Sequence, residues 1–169
     1  MKLIRLLIAA IAMTGAAATL AHEYRSGDLR IEHPWAHVTL PGAAVAPVYM
    51  LIYNDGKEPD TLIGGSAPGL AEKVELRGIV RGSFSMSIDA VNEITLAPKR
   101  KELLKPYSAH VILVGLKKPL KQGEQLPLTL HFQRAGKVPV KIMVEAVGAD
   151  PFRETPVGNG VAPTEQKRP

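Results

Sequence analysis

Five histidines and three methionines in the body of the chain are the side chains best suited to hold a transition metal. They are His22, His33, His37, His110 and His131, with Met50, Met86 and Met143. There is no cysteine. Disulfides, thiolate metal sites and a Cys nucleophile are thereby excluded. Any metal chemistry falls to imidazole, thioether, carboxylate or a free amine. His33 and His37 are four residues apart, which puts them on one face of an extended segment, although Pro34 interrupts it. Met86 lies two residues before Ile88 and shares its face on a strand. A Met86/His110 pair supplies two ligands; the competing reading of Met86 is packing, and of His110 an imidazole left at a sheet edge. His33 beside Trp35 is equally open to a packing or hydrogen-bonding role. His131, in Leu128-Thr129-Leu130-His131-Phe132, reads as structural.

Enzyme signatures are weak. Gly64-Gly65-Ser66-Ala67-Pro68-Gly69 places its last glycine one residue too late for a nucleophile elbow and reads as a Gly/Pro loop. Asp89 and Glu93 fit surface charges as well as an acid/base couple. There is no phosphate-binding P-loop and no HExxH helix motif. The expectation is a protein without catalysis.

The elements that must position these residues begin after a leader. Lys2 and Arg5 precede an apolar run, and Thr19-Leu20-Ala21 fits a small-residue cleavage site, so residues 1–21 read as a secretory signal peptide. The uncharged run Leu6–Ala21 is 16 residues, short of the ~20 that span a bilayer. Export to the periplasm is expected, with no stable membrane span and no nucleic-acid partner. Cleavage removes Lys2 and Arg5 and lowers the formal charge from +5 to +3, too little to signal an acidic partner. Cleavage after Ala21 makes His22 the N-terminal residue. Its amine and imidazole then form a chelate that favours Cu(II), with His33, His37 or His110 able to add a third nitrogen.

Residues 22–147 carry short alternating or apolar runs between turn signals. Strands are expected at Trp35–Leu40, Val45–Asn54, Lys73–Val80 and Ser83–Ala90, the last with Phe84, Met86 and Ile88 on a core-facing side. Ala109–Val114 reads as buried on both faces. Leu126–Gln133 and Val138–Val147 flank a hairpin turn at Ala135-Gly136. No long stretch keeps a helical period. The fold class is all-β, a Greek-key sandwich or barrel. Lys99-Arg100-Lys101 and Lys117-Lys118 read as solvated loops. The last 22 residues, 148–169, hold seven Gly or Pro and read as a flexible tail.

Several blocks carry a resemblance: His33-Pro34-Trp35-Ala36, Val48-Tyr49-Met50 with Ile52-Tyr53-Asn54-Asp55-Gly56, Val74-Glu75-Leu76, Tyr107-Ser108-Ala109-His110, and Gly115-Leu116-Lys117-Lys118-Pro119-Leu120. In this order the chain resembles the periplasmic copper-chaperone PCu(A)C family, which delivers Cu(I) to the CuA centre of cytochrome oxidase. The resemblance implies a cupredoxin-like β-domain, copper as cargo, and a copper-donating or copper-receiving periplasmic partner. The family's ligands are a His, a Met eleven residues on, and a His-x-Met a further 22 residues on. Those positions hold Arg77, Ile88, His110 and Ile112, so three of four ligands are replaced. Isoleucine offers no lone pair, and arginine stays protonated and repels a metal ion. The chain is expected to handle copper through a degenerate or remodelled site, in transfer or buffering. The alternative is a metal-free interaction module that keeps the fold and docks a partner.

Overall fold

The computed structural model describes residues 23–152. Eleven strands make up the order: β1 (Glu23–Ser26), β2 (Leu29–His37), β3 (Val45–Asn54), β4 (Asp60–Ser66), β5 (Ala71–Arg81), β6 (Met86–Val91), β7 (Ile94–Leu96), β8 (Arg100–Leu104), β9 (His110–Leu116), β10 (Gln125–Phe132) and β11 (Gly136–Glu145). Seven of them pair in the sequence β2-β11-β10-β4-β5-β9-β3, and β3 returns to β2. The sheet therefore closes on itself, as the all-β cupredoxin-like expectation requires. Closure leaves few backbone donors and acceptors at open edges. The β2–β11 contact is parallel, while the other pairings are antiparallel. Among the described residues no helix is long and apolar enough to cross a membrane.

Strand alternation decides which side chains fill the barrel. Val48, Met50 and Ile52 of β3, Leu76 of β5, Val111 and Leu113 of β9, and Leu128 and Leu130 of β10 are all buried in one cluster. Their neighbours at odd steps point out of the barrel, and that outer face carries the chemistry. Gly65 exists for close approach: a Cβ there would stand 2.9 Å from the carbonyl oxygen of Thr129 on β10.

The expected strands at Val45–Asn54 and at the β10–β11 hairpin, with Gly136 at φ 73°, match closely. Other expectations need correction. Ala109–Val114 is not buried on both faces: Val111 and Leu113 are buried, while His110, Ile112 and Val114 are half-buried on the outer side. Phe84 and Met86 are not core, being 104% and 66% exposed; β6 pairs only with β5, so no second layer covers them. Gly64, Gly65 and Ser66 end strand β4 rather than form a loop. Arg100-Lys101 begins strand β8, whose exposed charges flank a fully buried Leu104. The strand expected at Trp35–Leu40 is β2, Leu29–His37.

Candidate functional site

The outer face of the barrel holds one hollow of about 590 Å³ to which five strands contribute. β2 supplies His37, β3 supplies Pro47 and Tyr49, β9 supplies His110 and Ile112, β5 supplies Arg77, and β6 supplies Ile88; Pro106 and Tyr107 of the β8–β9 loop form a wall. The placement follows from register. Arg77 pairs directly with His110, Glu75 with Ile112, and Ile112 with Pro47. Paired residues point to the same side of a sheet, so Arg77, His110, Ile112 and Pro47 face the hollow together, while Glu75 lies on the same side but outside its lining.

An aromatic cluster fixes the histidines. Trp35 is 1% exposed although it lies on the outer side; its ring meets His37 edge-on at 4.8 Å and Tyr49 at 4.8 Å. Tyr49 in turn stands 6.4 Å from His37 and 5.8 Å from His110, both edge-to-face. Each imidazole is also pinned at one nitrogen. His37 Nδ1 donates to the carbonyl of Ala146 at 3.0 Å, and His110 Nδ1 donates to the carbonyl of Ser108 at 2.9 Å. A carbonyl can only accept, so in the neutral rings the proton sits on Nδ1 and the lone pair on Nε2. That is the second-sphere arrangement that orients imidazole as a metal ligand. The hollow offers two imidazoles; among the described residues no group of three or more His, Cys, Asp or Glu could hold a metal ion.

The other wall is cationic and aliphatic. Arg77 Nη2 donates to Glu75 Oε2 at 3.0 Å, and Lys73 Nζ stands 2.5 Å from Glu75 Oε1. The hydrogen bond from Lys73 is the main reason the Glu75 carboxyl lies below the usual range, with both cations adding to it. Arg77 Nε is buried and has no hydrogen-bond partner among the described residues. Burial, and then the nearby Tyr107, push the Tyr49 phenol up, so it stays protonated. Tyr107 itself is 91% exposed at φ 61°, in a sharp loop closed by Ser108 N–H to the Lys105 carbonyl. A non-glycine residue in that region is uncommon.

The remaining residues named from the sequence go elsewhere. Met86 pairs with Arg81 at the far end of β6 and lines a neighbouring depression with Ile79 and Tyr107, away from His110. His33 sits in a bulge of β2 at φ 48°, so the expected common face with His37 is lost. Its Nε2 is 3.9 Å from Glu145 and its ring meets Phe152 edge-on at 6.1 Å. His131 bonds Ser66 Oγ at 3.2 Å. Met50 is fully buried inside the barrel. His22, the leader 1–21 and residues 153–169 of the tail lie outside the described residues. Tyr49 and Tyr107 were missed as site residues; each stands in a block that carries the resemblance, Val48-Tyr49-Met50 and Tyr107-Ser108-Ala109-His110.

The family model of LpqE-like lipoproteins matches residues 29–144. The chain belongs to this LpqE-like, PCuAC-type family. The copper-bound PCuAC domain from PmoF2 is 33% identical, with 74% of this chain and 98% of that one covered at a TM-score of 0.63. The apo PCuAC domain from PmoF1 is 32% identical over 74% of this chain and 99% of that one, TM-score 0.64. Apo-DR1885 from Deinococcus radiodurans is 25% identical over 86% and 97%, TM-score 0.55. No curated protein matches the chain. Arg77, Ile88, His110 and Ile112, the positions where the resemblance leads one to expect ligands, all line this hollow.

Proposed function

We propose that the chain is an exported copper-handling protein that binds the ion in a remodelled site and transfers or buffers it without catalysis. The observation that carries this reading is the pair His37 and His110, lining one hollow with both Nε2 lone pairs left available by Nδ1 bonds to main-chain carbonyls. Similarity to a copper-bound PCuAC domain supports copper as the cargo. Replacement of both thioether positions by Ile88 and Ile112 removes the soft donors that suit Cu(I), so the remaining nitrogen set favours Cu(II). His22 extends the set if the leader is cut after Ala21, since its amine and imidazole then bind one ion. The lipoprotein description of the family model fits export, and the periplasm is the compartment we assign.

A second reading, a metal-free interaction module, draws on Ile79, Met86 and Tyr107, exposed apolar or aromatic side chains clustered beside the hollow. Titration separates the two. The exported chain should take up Cu(II) at 1:1 and hold Cu(I) weakly, with His37→Ala and His110→Ala each weakening Cu(II). Adding one residue ahead of His22 should weaken it further if the amine takes part. No uptake of either ion leaves the interaction module as the function.

A further inference from the structure

We propose that the ribbon formed by the ends of β5 and β6 is a docking arm that dips its tip into an anionic lipid surface. Docking of this kind does not depend on copper and holds whether or not the hollow takes a metal. Past Arg77, β5 leaves the barrel. Its ladder with β9 ends at Arg77 and His110, and its pairing with β4 lies further back at Val74. Residues 78–81 therefore keep β6 alone as a partner among the described residues, and β6 pairs only with β5. The result is a two-stranded ribbon whose residues 79–87 are all exposed. A bare two-stranded ribbon is marginally stable in water, and this one has no layer of its own chain to cover its apolar side chains.

The composition of the tip fits a lipid interface. Phe84 in the turn is fully exposed, Met86 largely so, and Ile79 and Val80 are exposed below them. The pairs Ile79–Ile88 and Arg81–Met86 lie on one side of the ribbon and Val80–Ser87 on the other, so apolar groups project from both faces. A docked protein covers one face of a ribbon; a lipid interface surrounds its tip. Between residues 79 and 87 the only charge is Arg81, at the first strand pair below the turn. From there its head reaches lipid phosphates while its stem lies along apolar surface. The acid of the ribbon, Asp89, lies on the opposite side from Arg81 and accepts a hydrogen bond from Ser87. The β8–β9 loop brings exposed Tyr107 into one depression with Ile79 and Met86, and exposed Lys105 stands two residues before it. Tyrosine and basic side chains suit the headgroup level. Neither Arg81 nor Lys105 forms an ion pair among the described residues. Insertion is shallow. The turn is closed by the Gly82 N–H donating to the Ser85 carbonyl at 2.9 Å, whereas the free strand edges carry main-chain groups that hydrocarbon does not tolerate.

The test is flotation of the metal-free exported chain with vesicles of phosphatidylcholine, alone or mixed equally with phosphatidylglycerol. The parent should bind the mixed vesicles, bind phosphatidylcholine about ten-fold or more weakly, and be released by salt. Phe84→Ser with Met86→Ser should lower binding to the mixed vesicles by about ten-fold or more, since two large apolar side chains are lost. Arg81→Gln should lower it by about five-fold. Leu40→Ser, an exposed apolar change in the loop that meets Gly115 at the other end of β9, should bind as the parent does. Phe84→Trp should shift its emission to the blue on the mixed vesicles, read as the difference from the parent, whose one tryptophan, Trp35, is buried. Every change is at an exposed position, so urea unfolding should match the parent and rule out misfolding as the cause. Failure of the parent to bind the mixed vesicles, or equal binding by the parent and the double variant, overturns the proposal. So does a dimer in lipid-free buffer that the double variant abolishes, which would assign the arm to a second copy of the chain.

Discussion

The two walls of the hollow differ in kind. On the β2–β3 side, Trp35 and Tyr49 are buried on the outside of the barrel and lock His37 and His110 in place through ring contacts and main-chain bonds. On the β5–β6 side, Arg77 and Ile88 stand where the resemblance expects ligands, β6 begins at the exposed Met86, and the exposed Phe84 lies in the turn before it. The contrast teaches that one face of a hollow can be held rigidly while the side chains of the other face differ in kind on the same barrel. The barrel sets where side chains point; which atom stands at the end is free to change.

The largest effect expected from breaking this contrast is on the poor wall. Arg77→His, Ile88→Met and Ile112→Met together should raise Cu(I) affinity by more than about a hundred-fold, beyond what outer-sphere partners usually control. Competition against a Cu(I) chelator measures it. No gain would mean that the three positions do not converge. Next comes the frame beneath both walls. Leu113 is fully buried in the barrel directly behind Ile112; Leu113→Ala should cost about 2–5 kcal/mol in urea unfolding. A loss under about 1 kcal/mol would place Leu113 outside a tightly packed core. On the exposed end, Phe84→Ser should change stability by less than about 0.5 kcal/mol. A larger loss in the same urea assay would show that Phe84 is covered in solution.

The smallest effect concerns the ion pairs of the cationic wall. The lowered Glu75 pKa means that its folded-state bonds stabilise the protein above the ordinary carboxylate range. That contribution is lost as pH falls through the lowered value. Glu75→Gln should therefore show a slightly flatter loss of stability on acidification, read by thermal melts across the acid range. A steeper loss would reverse the sign. Glu102 works the other way: burial raises its pKa, so its charged form opposes folding near neutral pH. Glu102→Gln should melt a little higher at neutral pH and at the same temperature in acid.

Much of the frame was legible. β3 is a continuous apolar run closed by Asp55-Gly56 and the β10–β11 hairpin turns at Ala135-Gly136, so residue type and turn signals find them. β4 was hidden because Gly64-Gly65 looks like a turn; only tertiary contact with Thr129 shows why glycine is needed in a strand. β8 was hidden because Lys99, Arg100 and Lys101 read as loop, although an edge strand tolerates charge on its open side. Phe84 and Met86 misled in the opposite direction. Their alternation with serines looks like a buried face, yet periodicity cannot say whether another layer covers it. At the site, the ligand pattern implied by the resemblance pointed to Arg77, Ile88, His110 and Ile112, and the structure brings them to one hollow. His37 was a candidate from the sequence, but its place beside His110 and its bond to Ala146, more than a hundred residues away in sequence, needed the structure.

On the proposed function, copper enters the hollow through the Nε2 atoms of His37 and His110. The direct measurement is a substoichiometric Cu(II) titration of the exported chain, followed through the assigned imidazole ¹⁵N resonances. Paramagnetic broadening should remove the His37 and His110 Nε2 signals first, while His131 stays sharp. Persistence of both signals while those of His22 or His33 vanish would contradict the account and move the ion to the start of the chain.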